Sequence, residues 1–455
     1  MSRFKVNFLV DSAATSIGLL ARLLLVIFLA RILDTQTYAA YILANATVAV
    51  GEVFSDFGAR TWATRVYALG AGLGENLRFI LTLKGVLTSL FGLCILLVVM
   101  HRLSPALCLI ITAIAFVQPS SDPILWLFRG REQLYLEALF TLFWRIGIAV
   151  AMYLVARATQ SIALMLIAWF VISVCRIVAE IGWLSLHKRG AQRGKEVAPG
   201  PLLKPLKLVT HILPLGVGLL LMCLYQRIGI FALSRLTDPV NVALYGTAFS
   251  FVAVPGFLSV SVSNALFPRL SRGVHSGDTR GTEKTTEQGM MIIAVIFGAI
   301  SIVGVVLAPW IFKILLPARL YAGHVVMEIL FPGLYISSIS VFLKYCMNAL
   351  SLNVHDASAC ALGIVVFLMV LIVPDWKVPV WGAAIAWNAG EVAIFVLRLS
   401  MIYLDGRLDI RRSVQLGLVY VILILLAWMI GPRVNTVSAH WFIGVGERGV
   451  VWHWP

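Results

Sequence analysis

The chain has 455 residues, of which 60% are hydrophobic and only 13% charged, with a mean hydropathy of +0.94. Soluble globular proteins run at roughly 45–50% apolar and about 25% charged residues, so a water-soluble enzyme and a disordered chain are both excluded. The net charge of +15 would suggest nucleic acid in a soluble domain, but no basic run lies in a segment able to fold outside a bilayer, and nucleic acid is not an expected partner.

In chain order, apolar stretches of spanning length fall at 11–33, 38–58, 78–100, 105–127, 134–157, 161–186, 208–234, 242–268, 289–316, 322–348, 354–374, 378–404 and 413–431. Each is close to the ~20 residues that a helix needs to cross a bilayer. The runs are continuous rather than alternating, which predicts helices and not barrel strands. A polar, tryptophan-rich tail follows Pro432, so the expected total is 12–14 spans. The first stretch follows Arg3 and Lys5 and ends on Arg31, where a cleaved leader would need small residues; it reads as an uncleaved span.

Lys and Arg between spans give the orientation. With the N-terminus in the cytoplasm, twenty of them fall on the inner side and seven on the outer, and basic loops stay inside. The expected location is therefore a bacterial cytoplasmic membrane, crossed many times, with a cytoplasmic N-terminus. No connection exceeds about 25 residues, which leaves no large outer loop of the kind a glycan polymerase or ligase uses. No G-x-x-x-x-G-K-[ST] is present, so no nucleotide motor is expected. The six cysteines include no C-x-x-C and read as small hydrophobes. The histidines lie at span ends without metal-like neighbours. No catalytic group, metal or cofactor is predicted.

A basic loop at 187–207 divides the chain after six spans. The halves share a pattern at a constant offset: Arg31, Asp34, Tyr41 and Arg65 match Arg235, Asp238, Tyr245 and Arg269. Six spans separate the copies, so both enter the membrane the same way round. The expected architecture is an all-α polytopic protein with two parallel six-helix lobes, 1–186 and 208–404, the linker 187–207 between them, and an additional span and tail at 405–455. Substrates of such proteins bind near the midplane between the halves.

An ionised side chain at bilayer depth costs about 2.5–3.5 kcal/mol and faces a partner or a polar cavity. Lys84, Glu137 and Lys344 lie near span ends and are expected to reach the interface along their stems. Arg22 and Arg145 are about 16 Å from either end of their spans at 1.5 Å per residue, too far for that. Arg227 sits one position from the repeat equivalent of Arg22, so the two are placed to face one another across the lobes. These three form the candidate cationic site, the alternative for each being a structural ion pair. Arg176 and Glu180, four apart, are spaced as an ion pair. Glu391, with Arg398 two turns on along the same face, is open between a structural pair and a coupling carboxylate. Glu52 is open between gating and interface, and Asp56 reads as interfacial.

The segment from Arg22 to Ala68 resembles the opening of polysaccharide-export flippases of the Wzx type, in the superfamily of the MATE exporters and the lipid II flippase MurJ. That branch shows an apolar helix, a Leu-Gly-x-x-x-[FY]-Gly-x-[YF] turn, a second helix, and Asp-[LF]-Gly followed by an Arg. Here Leu33, Tyr38, Tyr41, Asp56-Phe57-Gly58 and Arg65 occupy those places, while Asp34 and Ala39 replace the two turn glycines. The resemblance implies a MATE/MurJ-like fold and no enzymatic activity. It implies alternating access carrying an undecaprenyl-pyrophosphate-linked oligosaccharide between leaflets, with membrane lipids, a polysaccharide polymerase and chain-length proteins as partners. For such cargo the arginines make chemical sense: a guanidinium stays charged and binds phosphate oxygens in a bidentate fork. A MATE-like cation antiporter, the alternative, would need an acidic cavity. A membrane-embedded glycan polymerase or ligase ranks third.

Overall fold

The computed structural model describes residues 3–59, 73–99, 101–120, 122–130, 134–191, 205–372, 376 and 378–406. In chain order the helices are α1 (Arg3–Ile32), α2 (Thr35–Asp56), α3 (Leu73–Val99), α4 (Pro105–Ser120), α5 (Asp122–Gly130), α6 (Leu134–Thr159), α7 (Ile162–Ala191), α8 (Pro205–Leu236), α9 (Pro239–Ser276), α10 (Thr279–Leu315), α11 (Gly323–Ala349), α12 (Asn353–Ile372) and α13 (Pro379–Asp405), with a 3-10 turn at Ala318–Leu320. No strand occurs among the described residues. Among the described residues ten helical stretches, one of them α4 and α5 together, are long and apolar enough to cross a membrane, and the chain is a multi-pass membrane protein.

Twelve of the thirteen expected spans coincide with these helices; the stretch at 413–431 lies outside the described residues. The expected span at 105–127 matches α4 and α5 taken together, which form one apolar stretch of crossing length, Pro105–Trp126. On either side of the basic loop, α7 runs to Ala191 and α8 begins at Pro205.

The packing repeats itself. In the first half α1 packs on α6, α6 on α7, α7 on α4, α4 on α2 and α3, and α2 on α3. In the second, α8 packs on α12, α12 on α13, α13 on α11, α11 on α9 and α10, and α9 on α10. Counting α4 and α5 as one span, these pairings correspond one for one. The fold is therefore two six-span lobes of the same internal plan. They meet where α2 lies against α8 and α9, and where α1 touches α9. Close approach needs glycine there: a Cβ on Gly246 of α9 would collide with Ile42 of α2. The Tyr38 and Thr247 hydroxyls, both buried, bond across the same contact at 2.8 Å.

The repeated Asp marks equivalent helix starts. Asp34 is the N-cap of α2, where its side chain accepts from the amides of Gln36 (2.9 Å) and Thr37 (3.1 Å). Asp238 occupies the N-cap of α9, with Pro239 supplying the first helical residue. Hydrogen bonding by Thr37 holds the Asp34 carboxyl below its ordinary range. The stabilisation is thus present above that range and is lost as the pH falls through the lowered value. Asp34→Ala removes the cap and is expected to cost about 1 kcal/mol, read as a lower Tm of the purified protein in detergent at neutral pH.

Three charged residues expected to reach the interface are instead inside the lobes. Lys84 is fully buried; its Nζ donates to the Pro119 carbonyl at 2.9 Å, lies 3.5 Å from Asp56 and sits 4.9 Å over the Trp126 ring. Glu137 is buried in α6. Lys344 lies 3.9 Å from Asp356. Asp56, read as interfacial, is the partner of Lys84. A charge two turns from a helix end escapes to the interface only if that face is lipid-exposed, and these faces are packed against neighbouring helices.

Candidate functional site

α1 and α6 pack along their lengths, and α2 lies between the first lobe and α8. This converges three arginines from three helices on one region of the lobe junction. Arg22 of α1 donates to Asn45 Oδ1 of α2 at 2.7 Å. The Arg145 side chain of α6 lies against Gly18 of α1, where a Cβ would strike its Cδ. Arg227 of α8 lies 5.9 Å from the centroid of the Phe249 ring. Its Nε is buried and has no hydrogen-bond partner among the described residues. Arg227 is within electrostatic reach of Arg22 and Glu52.

One acid belongs to the cluster. Glu52 of α2 is within reach of Arg22 and Arg145, and further of Asp122 and Arg176. It accepts a hydrogen bond from Gln118 Nε2, while Gln118 Oε1 accepts from Trp169 Nε1 at 2.8 Å. The Glu52 carboxylate is thereby oriented by a relay from α4 and α7. Asp122 and Arg176 pair with one another, so Arg22, Arg145 and Arg227 outnumber Glu52 and leave an excess of positive charge able to attract an anion. In a medium of low dielectric that attraction is far stronger than in water.

The other charges expected at depth are arranged differently. Arg176 pairs with Glu180 (2.7 Å), as their spacing predicts, and also with Asp122 (3.2 Å). Its guanidinium lies 4.4 Å over the Trp144 ring. Arg398 is not the ion-pair partner of Glu391. It binds Asp356, with its Nη2 2.7 Å away, and donates from Nη1 to the Ser340 carbonyl (3.0 Å) and hydroxyl (2.8 Å). Glu391 is buried beside Ser337 and Tyr225. The structure thus brings together Arg22, Arg145, Arg227 and Glu52, and leaves Glu391 and Arg398 in the interior of the second lobe.

Sequence reasoning missed Asn45, Gln118, Trp169 and Asp356. Gln118 carries the clearest signal, being a polar residue beside Pro119 inside an apolar span. Among the described residues no group of His, Cys, Asp or Glu is placed to hold a metal.

The sequence profile of the polysaccharide biosynthesis protein family matches residues 4–274, more than half of the chain. The chain belongs to that family. A MatE profile matches residues 214–373. No curated protein matches in sequence. Among solved structures, the lipid II flippase MurJ in an inward closed conformation superposes with a TM-score of 0.65 at 12% identity, over 95% of this chain and 98% of that one. The Vibrio cholerae MATE transporter VcmN gives 0.60 at 11% identity, over 90% and 99%. A multidrug resistance MATE transporter in an inward-facing conformation gives 0.62 at 12% identity, over 86% and 95%. The fold is that of the MATE/MurJ superfamily.

Proposed function

We propose that the chain is a Wzx-type flippase. It carries an undecaprenyl-pyrophosphate-linked oligosaccharide, a repeat unit of O-antigen, capsule or exopolysaccharide, across the bacterial cytoplasmic membrane by alternating access of its two lobes. The observation that carries this reading is the arginine cluster at the lobe junction, three guanidiniums against the single Glu52. It suits a pyrophosphate, whose oxygens accept from guanidinium in pairs. Membership of a polysaccharide biosynthesis family supports the cargo class, and the shared fold with a lipid II flippase supports the mode of action.

In this reading Arg22, Arg145 and Arg227 bind the head group while the polyprenyl tail stays in lipid. Glu52, anchored through Gln118, is the gating or coupling carboxylate. Glu391 is a second coupling candidate, and Arg398 sets the field around it. The lobes are 1–186 and 208–404, with 187–207 as linker and 405–455 as an additional span and tail. The N-terminus is cytoplasmic, as the charge count requires, and the protein is not an enzyme. A polysaccharide polymerase and chain-length proteins are its prospective partners.

The MatE match favours a second reading, a cation antiporter. The two are separated by reconstitution into liposomes. The expected result is movement of a fluorescent pyrophosphate-linked lipid glycan between leaflets and no efflux of organic cations. Cation efflux without glycan movement overturns the flippase reading.

A further inference from the structure

The repeated Arg31 and Arg235 take no part in the central cluster, and the bonds they make are of one kind. Arg31, at the end of α1, donates from Nε to the Leu315 carbonyl and from Nη2 to the Ile314 carbonyl, both at 2.8 Å. These are the last residues of α10, in the other lobe. Arg319, in the turn after α10, donates back to the carbonyls of Ala30 (2.8 Å) and Leu33 at the end of α1. The second junction mirrors the first. Arg235, at the end of α8, donates to the Leu97 carbonyl near the end of α3 at 2.9 Å. Arg102, just after α3, donates back to the carbonyls of Ser234 (2.9 Å) and Thr237 at the end of α8. His101 shares the Ser234 carbonyl at 3.0 Å.

Two reciprocal junctions therefore tie the first lobe to the second, α1 to α10 and α3 to α8. All acceptors of these arginines are backbone carbonyls at or near helix C-termini, which lack intrahelical partners and carry the negative end of the helix dipole. The arrangement obeys the repeat: α1 and α8 are equivalent spans, as are α3 and α10. All four helix ends lie on one side, the side that the charge count places outside the cell.

We propose that Arg31, Arg102, Arg235 and Arg319 form the extracytoplasmic gate of the transporter, a latch of guanidiniums on helix C-termini that holds the lobes together on that side. The proposal deepens the alternating-access reading above and rests on it. A hinge motion that opens this side breaks both junctions, whereas one that opens the opposite side leaves them intact. The chemistry suits a contact remade in every cycle. Arginine bound to neutral carbonyls is held less tightly than arginine bound to carboxylate, and carbonyls do not titrate. When the gate opens, water replaces the arginines on the carbonyls, so neither side is left unsatisfied.

The test is thiol accessibility from outside the cell, with no cargo present. In a chain whose six cysteines are replaced by alanine, Ala243→Cys places a thiol on the buried α9 face that also carries Thr247, just inside the latch. Its labelling by a membrane-impermeant maleimide added to spheroplasts reads outward opening. Arg31→Gln with Arg319→Gln, and separately Arg102→Gln with Arg235→Gln, are expected to raise that rate at least tenfold. Lysine at the same positions, keeping the charge, restores part of the protection. Ala294→Cys, buried in α10, reports general unfolding and is expected to label at an unchanged rate. The proposal is overturned if Ala243→Cys labels no faster in either double variant, if Ala294→Cys accelerates in step with it, or if labelling comes only from the cytoplasmic side. Because no glycan is used, these outcomes are independent of whether the cargo is correctly identified.

Discussion

Asp356→Ala is expected to lower the stability of the protein by about 3–5 kcal/mol, the cost of leaving a buried charge without its partner. Asp356 is buried at the start of α12 and serves two cations: its Oδ1 lies 2.7 Å from Arg398, and its Oδ2 3.9 Å from Lys344. Arg398 comes from α13 and Lys344 from α11, so one carboxylate joins three helices of the second lobe. Its removal leaves a guanidinium that is 3% exposed with, among the described residues, the Ser340 oxygens and the Cys360 sulfur as acceptors. The loss should appear as a large drop in Tm in detergent and a reduced folded yield. Replacing both main partners, Asp356→Leu with Arg398→Met, should recover most of it, because a buried ion pair exchanged for packed apolar groups is often nearly neutral. If the double variant is as unstable as the single one, the cluster does more than hold its own charges.

That cluster also shows where the sequence could and could not be read. The spans were legible because a bilayer demands about 20 apolar residues per crossing, and most helix ends fall within a few residues of the hydropathy boundary, while α1, α9 and α10 run well past it at one end. The two lobes were legible because Arg31, Asp34 and Tyr41 recur as Arg235, Asp238 and Tyr245, and the structure gives each a physical task. The arginines bind helix ends across the lobes, the aspartates occupy N-caps, and the tyrosines are buried. Partner identity was much less legible. Arg176 and Glu180 share one helix, so their spacing revealed the pair. Arg398 finds Asp356 from a different helix 42 residues away, and no periodicity along α13 encodes that. Lys84 fails for a related reason: its depth is set by the rise per residue, but whether its face meets lipid or protein depends on α2, α4 and α5. Arg102 and Arg319 were counted only as outer-loop charges, since an arginine that binds backbone carbonyls needs no complementary residue in the sequence.

Arg22→Ala is expected to reduce the rate of pyrophosphate-linked glycan movement about 10–100-fold in reconstituted liposomes, and Arg145→Ala to have an effect of similar size. The magnitude follows from losing a charge-assisted hydrogen-bonding partner worth about 1.5–3 kcal/mol, at about 1.4 kcal/mol per factor of ten. Arg22→Lys keeps the charge but loses the planar fork, and should fall between wild type and alanine. Asn45→Ala separates binding from orientation: it leaves all three guanidiniums in place and removes only the bond that aims Arg22, so a smaller loss is expected, without loss of charge selectivity. Arg227 gives the sharpest contrast, because its buried Nε has no protein partner among the described residues. A structural arginine is stabilising because its bonds are satisfied at home. One that keeps a donor free at the lobe junction should cost little stability when replaced, yet cost transport. Arg227→Met is therefore expected to leave the Tm unchanged or raised while slowing glycan movement at least tenfold. Inorganic pyrophosphate should compete with the glycan in the wild type and much more weakly in this variant. A fall in Tm with unaltered transport would return Arg227 to the interior of the fold and leave the anion to Arg22 and Arg145.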